Sequence, residues 1–173
     1  MTLTLFGETS GAAFSTDRRY RYRLWRVWGD PSRRVVFVGI NPSDADEHDN
    51  DQTISKGIGF GQRWGFGALD MINPFALVST DQRGLIDVDD PIGPENDQYV
   101  ATVLARASRV VWAWGGGKTA AVTRLLQARL ASPAWAELVR SATCEHGCLG
   151  RTNDGQPRHP LMLPYATAFE VSA

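Results

Sequence analysis

The sequence predicts an α/β fold, a three-layer α-β-α sandwich on a mostly parallel central sheet, from three observations. The continuous run Val35-Val36-Phe37-Val38-Gly39-Ile40 has the character of a strand buried on both faces. Apolar runs recur at 68–73 and 109–114, and each is cut off abruptly by Pro or Gly. Helically spaced apolar residues fill the intervals, so strand and helix alternate, the pattern of a parallel sheet with helices on both faces.

The elements follow in order. Residues 20–28 alternate aromatic or apolar side chains with Arg, the period of a half-buried strand. The Arg face there is either a solvated sheet face or a phosphate-facing one. The strand at 35–40 ends at Asn41-Pro42-Ser43, and 53–64 reads as a helix with Ile54, Ile58 and the aromatics on one side. Gly57, Gly59 and Gly61 weigh against that helix, each by about 1 kcal/mol relative to Ala. A second strand at 68–73 stops at Pro74, and Asp89-Asp90-Pro91-Ile92-Gly93-Pro94 supplies turn chemistry. A helix at 96–107 is expected to be capped by Asn96 and to bury Val100, Val103 and Leu104. The strand at 109–114 closes on Gly115-Gly116-Gly117, a helix follows at 119–130, and 149–152 with 159–163 form a last strand-and-loop segment.

At 173 residues, with 43% hydrophobic and 21% charged side chains, residues 1–173 fit one domain with a real core. No apolar run approaches the ~20 residues that cross a bilayer, and the start carries no signal-peptide pattern. A cytoplasmic monomer without a membrane partner is expected. Net charge is −1, but Arg18, Arg19, Arg21, Arg23, Arg26, Arg33 and Arg34 crowd the first stretch. Acidic residues gather at 44–51 and 87–97. A basic face for nucleic acid is therefore compatible with a near-neutral whole.

In open α/β sheets the ligand crevice lies beyond the carboxyl ends of the strands, so the strand-breaking segments are where chemistry is expected. An Asn-Pro strand end at Asn41-Pro42 projects an amide into that crevice, where it can position a water or a carbonyl. The acidic stretch after it carries no EF-hand spacing. Gly115-Gly116-Gly117-Lys118-Thr119 fails as a Walker A motif, because no Gly stands at Val111 or Trp112. Such a turn still lets backbone at Gly115 and Gly116, and the Lys118 ammonium, approach a phosphate. Cys144-Glu145-His146-Gly147-Cys148 lacks a fourth zinc ligand and reads as a surface loop with reduced cysteines. No metal and no cofactor is expected. His159, between Arg158 and Pro160, is held in extended backbone suited to presenting an imidazole, with Arg151 nearby in the chain.

Several of these motifs recur together in a known family. They are Gly39-Ile40-Asn41-Pro42-Ser43, Asp51-Gln52-Thr53-Ile54, Asn73-Pro74-Phe75-Ala76, Asp90-Pro91-Ile92-Gly93-Pro94-Glu95-Asn96-Asp97, Trp112-Ala113-Trp114-Gly115 and Gly155-Gln156-Pro157-Arg158-His159-Pro160-Leu161. As a set they resemble the bacterial and phage family DUF1643, whose name implies no activity. More distantly, Gly39-Ile40-Asn41-Pro42 is similar to the first motif of mismatch-specific uracil/thymine DNA glycosylases. His159-Pro160-Leu161-Met162 is loosely similar to the late His-Pro loop of the uracil-DNA glycosylase superfamily. Ser43 stands where that resemblance has Gly, and Leu161-Met162 where it has Ser-Pro.

The second resemblance implies a uracil-DNA-glycosylase-like fold and cleavage of the N-glycosidic bond of a damaged, mismatched or modified base in DNA. It implies that Asn41 orients the attacking water, with Asp44 or Asp46 as a candidate base. Asn73 would read the base edge, and His159 would stabilise charge on the departing base. Gly39, Ile40, Pro42 and Ser43 would border the substrate, and Phe60, Phe66 or Phe75 would stack on it. Gly115, Gly116, Lys118, Arg151 and Arg158 would meet phosphates, and Leu161 and Met162 would fill the emptied stack. Two alternatives stay open: a non-catalytic nucleotide or nucleic-acid binding module, and a hydrolase of free nucleosides or nucleotides.

Overall fold

The β-branched run forms the middle strand of a seven-stranded sheet in the computed structural model, which describes residues 9–43 and 45–172. The strands are β1 (Gly11–Phe14), β2 (Arg21–Val27), β3 (Arg34–Val38), β4 (Ala68–Ile72), β5 (Arg109–Trp112), β6 (Glu145–Cys148) and β7 (Glu170–Val171). They lie in the order β1-β2-β4-β3-β5-β6-β7. The helices are α1 (Gln52–Arg63), α2 (Asn96–Ala105), α3 (Ala120–Leu130) and α4 (Pro133–Arg140), with 3₁₀ turns at Gln82–Leu85 and Pro160–Met162.

Period-two alternation along β3 divides the core between the two sheet faces. Val35 and Phe37 pack with Leu69, Met71, and Ile54 and Phe60 of α1. Val36 and Val38 pack with Val100, Val103 and Leu104 of α2 and with Trp135 and Leu138 of α4. A third cluster joins Val122 and Leu126 of α3 to Phe75, Ala76 and Leu77 after β4. The glycines that argue against α1 as a free helix explain how close it sits. A Cβ at Gly57 would stand 2.7 Å from a Leu69 methyl, and one at Gly59 would stand 2.5 Å from the Tyr165 hydroxyl. Tertiary packing thus overrides their poor propensity.

The expectation of a mostly parallel sheet needs correction. β4-β3-β5-β6 are parallel neighbours, but β1-β2, β2-β4 and β6-β7 pair antiparallel. For β2 the cause is connection length. Successive parallel strands along the chain are joined through α1, through α2, and through α3 with α4, whereas only residues 28–33 separate β2 from β3. Running parallel to β3 would need a crossover of about a dozen residues or more, so the short link leaves β2 antiparallel to β3 and hence to its neighbour β4.

Other expectations shift as well. Asn96 does not cap α2; Glu95 holds that position, and Asn96 turns inward to donate to Asn73 O at 3.0 Å and Pro74 O at 3.2 Å. Buried carbonyls in the turn after β4 need donors, and this amide supplies them. The Cys144–Cys148 segment is not a surface loop: Glu145–Cys148 is β6, with Cys148 buried beside Trp112. Helix α4 had not been expected, although Ser132 caps it by accepting from Trp135 N and Pro133 opens it. Among the described residues no helix is long and apolar enough to cross a membrane.

Candidate functional site

The parallel strands β3, β4 and β5 all end on one edge of the sheet, and the chain breaks there at Gly39, Asn73 and Ala113. A cavity of about 440 Å³ opens above β3 and β5, walled by the start of α1 and by the Pro160–Met162 turn. Gly39, Ile40, Asn41, Ser43, Gly115, Gly116, Lys118, His159 and Leu161, all expected at a ligand site, line it.

Asn41 is held firmly. Its Nδ2 donates to Ser79 O at 2.8 Å and Pro42 O at 3.0 Å, which leaves the side-chain carbonyl oxygen as the group able to accept from a water. Pro42 is buried behind it, where its carbonyl also accepts from Ser79 N. Ser43 Oγ donates to Asp51 Oδ2 at 3.0 Å, while Asp51 Oδ1 caps α1 by accepting from Ile54 N at 2.8 Å. Asp51 lines the cavity and so presents a carboxylate at its wall. Asp44 lies outside the described residues. Asp46 does not line the cavity; its carboxylate accepts from His48 N and Asp49 N in an exposed turn.

His159 faces this carboxylate wall in a defined tautomer. Its Nδ1 accepts from Leu161 N at 3.3 Å, so the neutral ring carries its proton on Nε2 and donates from there. Burial pushes its pKa below the usual histidine value, and the charge of Asp51 only partly opposes that. Gly115 seats the ring's backbone. Its φ is +70°, its N donates to Pro157 O at 2.8 Å, and a Cβ there would lie 3.0 Å from His159 Cβ.

The expected aromatic contacts are elsewhere. Phe60 and Phe75 are buried core residues, and Phe66 precedes β4 at the opposite end of the sheet, near Arg109. Trp114 is the aromatic that lines the cavity beside His159, with its Nε1 tied to Gln156 Oε1 at 3.0 Å. Asn73 is buried and lies outside the cavity, behind Gly39; a Cβ at Gly39 would stand 2.7 Å from its Oδ1. Arg151 and Arg158 are exposed and outside the cavity, and Arg151 Nη1 donates to Gly155 O. Met162, beside Leu161, is 87% exposed.

Of the arginine-rich start, Arg21, Arg26 and Arg34 are buried, whereas Arg18, Arg19 and Arg33 are exposed. Arg23 and Arg34 pair with buried Asp70 at 2.5 and 2.8 Å, Arg18 pairs with Glu47, and Arg26 donates to Asn50 Oδ1 and to several carbonyls. Arg21 instead lines the cavity. A bulge in β2 puts it there. The register with β1 shifts between Ala13 and Phe14, skipping Tyr22, so Arg21 reaches Ala45 O while Arg23 reaches Asp70 on the other face.

Asp51 and Trp114 are thus among the site residues that sequence reading leaves unassigned, whereas it reads Arg21 only as one of the arginines of a basic face. For Asp51 the signal was available, because a residue that opens a helix immediately after a strand-end loop borders the crevice.

The family model described as "Protein of unknown function (DUF1643)" matches residues 21–161. The chain belongs to the DUF1643 family. The matched span includes every described residue named above as lining the cavity. No curated protein and no solved structure matches this DUF1643 chain.

Proposed function

We propose that this DUF1643 protein is an N-glycosidic hydrolase that takes one nucleotide unit into the strand-end cavity. What carries the reading is the pairing of a carboxylate, Asp51, with a neutral imidazole, His159, in one cavity that also holds the Asn41 amide. Water attacks C1′ as the C1′–N bond breaks, through an oxocarbenium-like state. Asp51 accepts the water's proton and its charge favours the cationic sugar. The Asn41 side-chain carbonyl orients that water, and the His159 Nε2–H donates to the base as it leaves with the bonding electrons. Trp114 offers a face on which the base can stack.

The resemblance of Gly39-Ile40-Asn41-Pro42 and His159-Pro160-Leu161 to glycosylase motifs supports the same assignment. A base in DNA is favoured by Met162, an exposed apolar side chain next to the cavity-lining Leu161, suited to fill a vacated stack. A free nucleoside or nucleotide is favoured by the burial of Arg26 and Arg34 and the pairing of Arg23 with Asp70, which withdraw those three side chains from the expected basic face.

The test is a screen for released base, by chromatography, from oligonucleotides bearing uracil, hypoxanthine, mismatched thymine or modified pyrimidines, and from free nucleosides and nucleotides. Release that is lost in Asn41→Ala and His159→Gln supports the reading and names the substrate. Salt-dependent binding without release assigns the cavity to recognition alone.

A further inference from the structure

Arg21, Arg26, Arg34 and Arg129 are the buried arginines among the described residues, and three of them are well matched. Arg34 meets Asp70, Arg129 meets Asp97 and Pro74 O, and Arg26 meets Asn50 and the carbonyls of Gly11, Trp25, Asp46 and Asp49. Arg21 is different. It is 3% exposed, and among the described residues its guanidinium makes one hydrogen bond, from Nη1 to Ala45 O, while its buried Nε has no partner.

A guanidinium taken out of water is strongly destabilised unless hydrogen bonds and opposite charge replace what it loses. Asp51 and Asp46 lie within electrostatic reach of Arg21 but make no ion pair with it, and Arg26 opposes its charge. Burial accordingly pulls its pKa down to about 10, still far above neutrality, so the group remains a cation. Of the four arginines, the one left short of partners is the one that lines the cavity.

We propose that Arg21 anchors an oxyanion of the ligand, so that the cavity takes a phosphate- or carboxylate-bearing small molecule in preference to an uncharged one. The proposal rests on the cavity being the ligand site assigned above, and it deepens that reading by naming the ligand's charged group. The guanidinium fork supplies paired donors to a planar carboxylate or to a phosphate, and a dry surrounding strengthens that contact. Lys118, exposed on the same cavity's lining, adds a second positive charge.

Equilibrium calorimetry tests this without any bond cleavage, so its outcome is separate from that of the hydrolase assay. The probes are inorganic phosphate, nucleoside 5′-monophosphates, the parent nucleosides, and a carboxylated pyrimidine beside its uncharged base. The wild-type protein should bind an oxyanion-bearing probe about tenfold or more tightly than its neutral parent. Arg21→Gln should erase that gain, so that charged and neutral probes bind with similar affinity, and Arg21→Lys should keep part of it. Whether the gain belongs to the monophosphates or to the carboxylate identifies the source of the oxyanion. Arg21→Met guards against a folding artefact: removal of an under-partnered buried charge should leave Tm at or above that of the wild type. Equal affinity for charged and neutral probes, no binding of any probe, or a gain that survives in Arg21→Gln would overturn the proposal. So would a fall in Tm in Arg21→Met, which would assign Arg21 to the fold.

Discussion

Ser43 and Asp51 are joined across the mouth of the cavity by a 3.0 Å hydrogen bond from the Ser43 hydroxyl to Asp51 Oδ2. The other carboxylate oxygen caps α1. One residue therefore starts the helix and presents a carboxylate to the ligand, and the strand-end loop sets the direction in which it points. Ser43→Ala should cost about 1 kcal/mol of stability through the lost bond, and should lower kcat more than it raises KM. Asp51→Asn keeps a capping oxygen and should lose less than about 1 kcal/mol, whereas Asp51→Ala should lose about 1 kcal/mol or more. Urea melts with turnover assays on the same samples separate the two roles.

His159 gives a pH prediction. Its pKa is held below the usual value by burial, so the folded protein binds this proton less readily than the unfolded chain does. Stability from this site is fully present above about pH 6.5, and is lost as pH falls through the lower folded value. Denaturant midpoints measured across that window should fall in the wild type and fall less in His159→Gln. Nitrogen NMR should find Nδ1 unprotonated and Nε2 protonated at neutral pH.

Gly39 and Asn73 form a second tight contact. A Cβ at residue 39 would stand 2.7 Å from Asn73 Oδ1 and 2.9 Å from the Met71 terminal methyl. Gly39→Ala should destabilise by about 1–3 kcal/mol. Combination with Asn73→Ala should cost less than the sum of the single changes, by at least about 0.5 kcal/mol. Strict additivity in a double-mutant cycle would show that the two side chains do not meet.

Asp70 is fully buried between Arg23 and Arg34, on the face away from α1. Asp70→Ala should lower the unfolding free energy by about 3–5 kcal/mol, because buried guanidinium charge loses its carboxylate. Loss of less than about 1 kcal/mol in chemical denaturation would contradict the pairing.

These contacts show which parts of the fold and site the sequence disclosed. Strands β3, β4 and β5 were legible because an apolar run stopped by Asn-Pro or Gly-Gly is a local signal, and their shared edge then located Asn41, Gly115 and His159 together. The direction of β2 was not legible, since it depends on a short link and on which neighbour the strand finds. The glycosylase resemblance implies stacking by Phe60 or Phe75, but aromatic residues near a motif look alike in sequence, and only packing separates them from Trp114. The sequence groups Arg21 with the other arginines of a basic face, and what it does not show is the β2 bulge, which breaks the alternation that would have kept Arg21 with Arg23.

Hydrolysis in heavy-oxygen water tests the central claim most directly. Wild-type protein with the substrate found by the base-release screen should yield unlabelled free base and a sugar carrying the heavy oxygen at C1′. Asp51→Asn and His159→Gln should each slow that release by about 10²–10⁴-fold. Heavy oxygen in the base instead of the sugar, or release unaffected by both substitutions, would contradict N-glycosidic hydrolysis at this cavity.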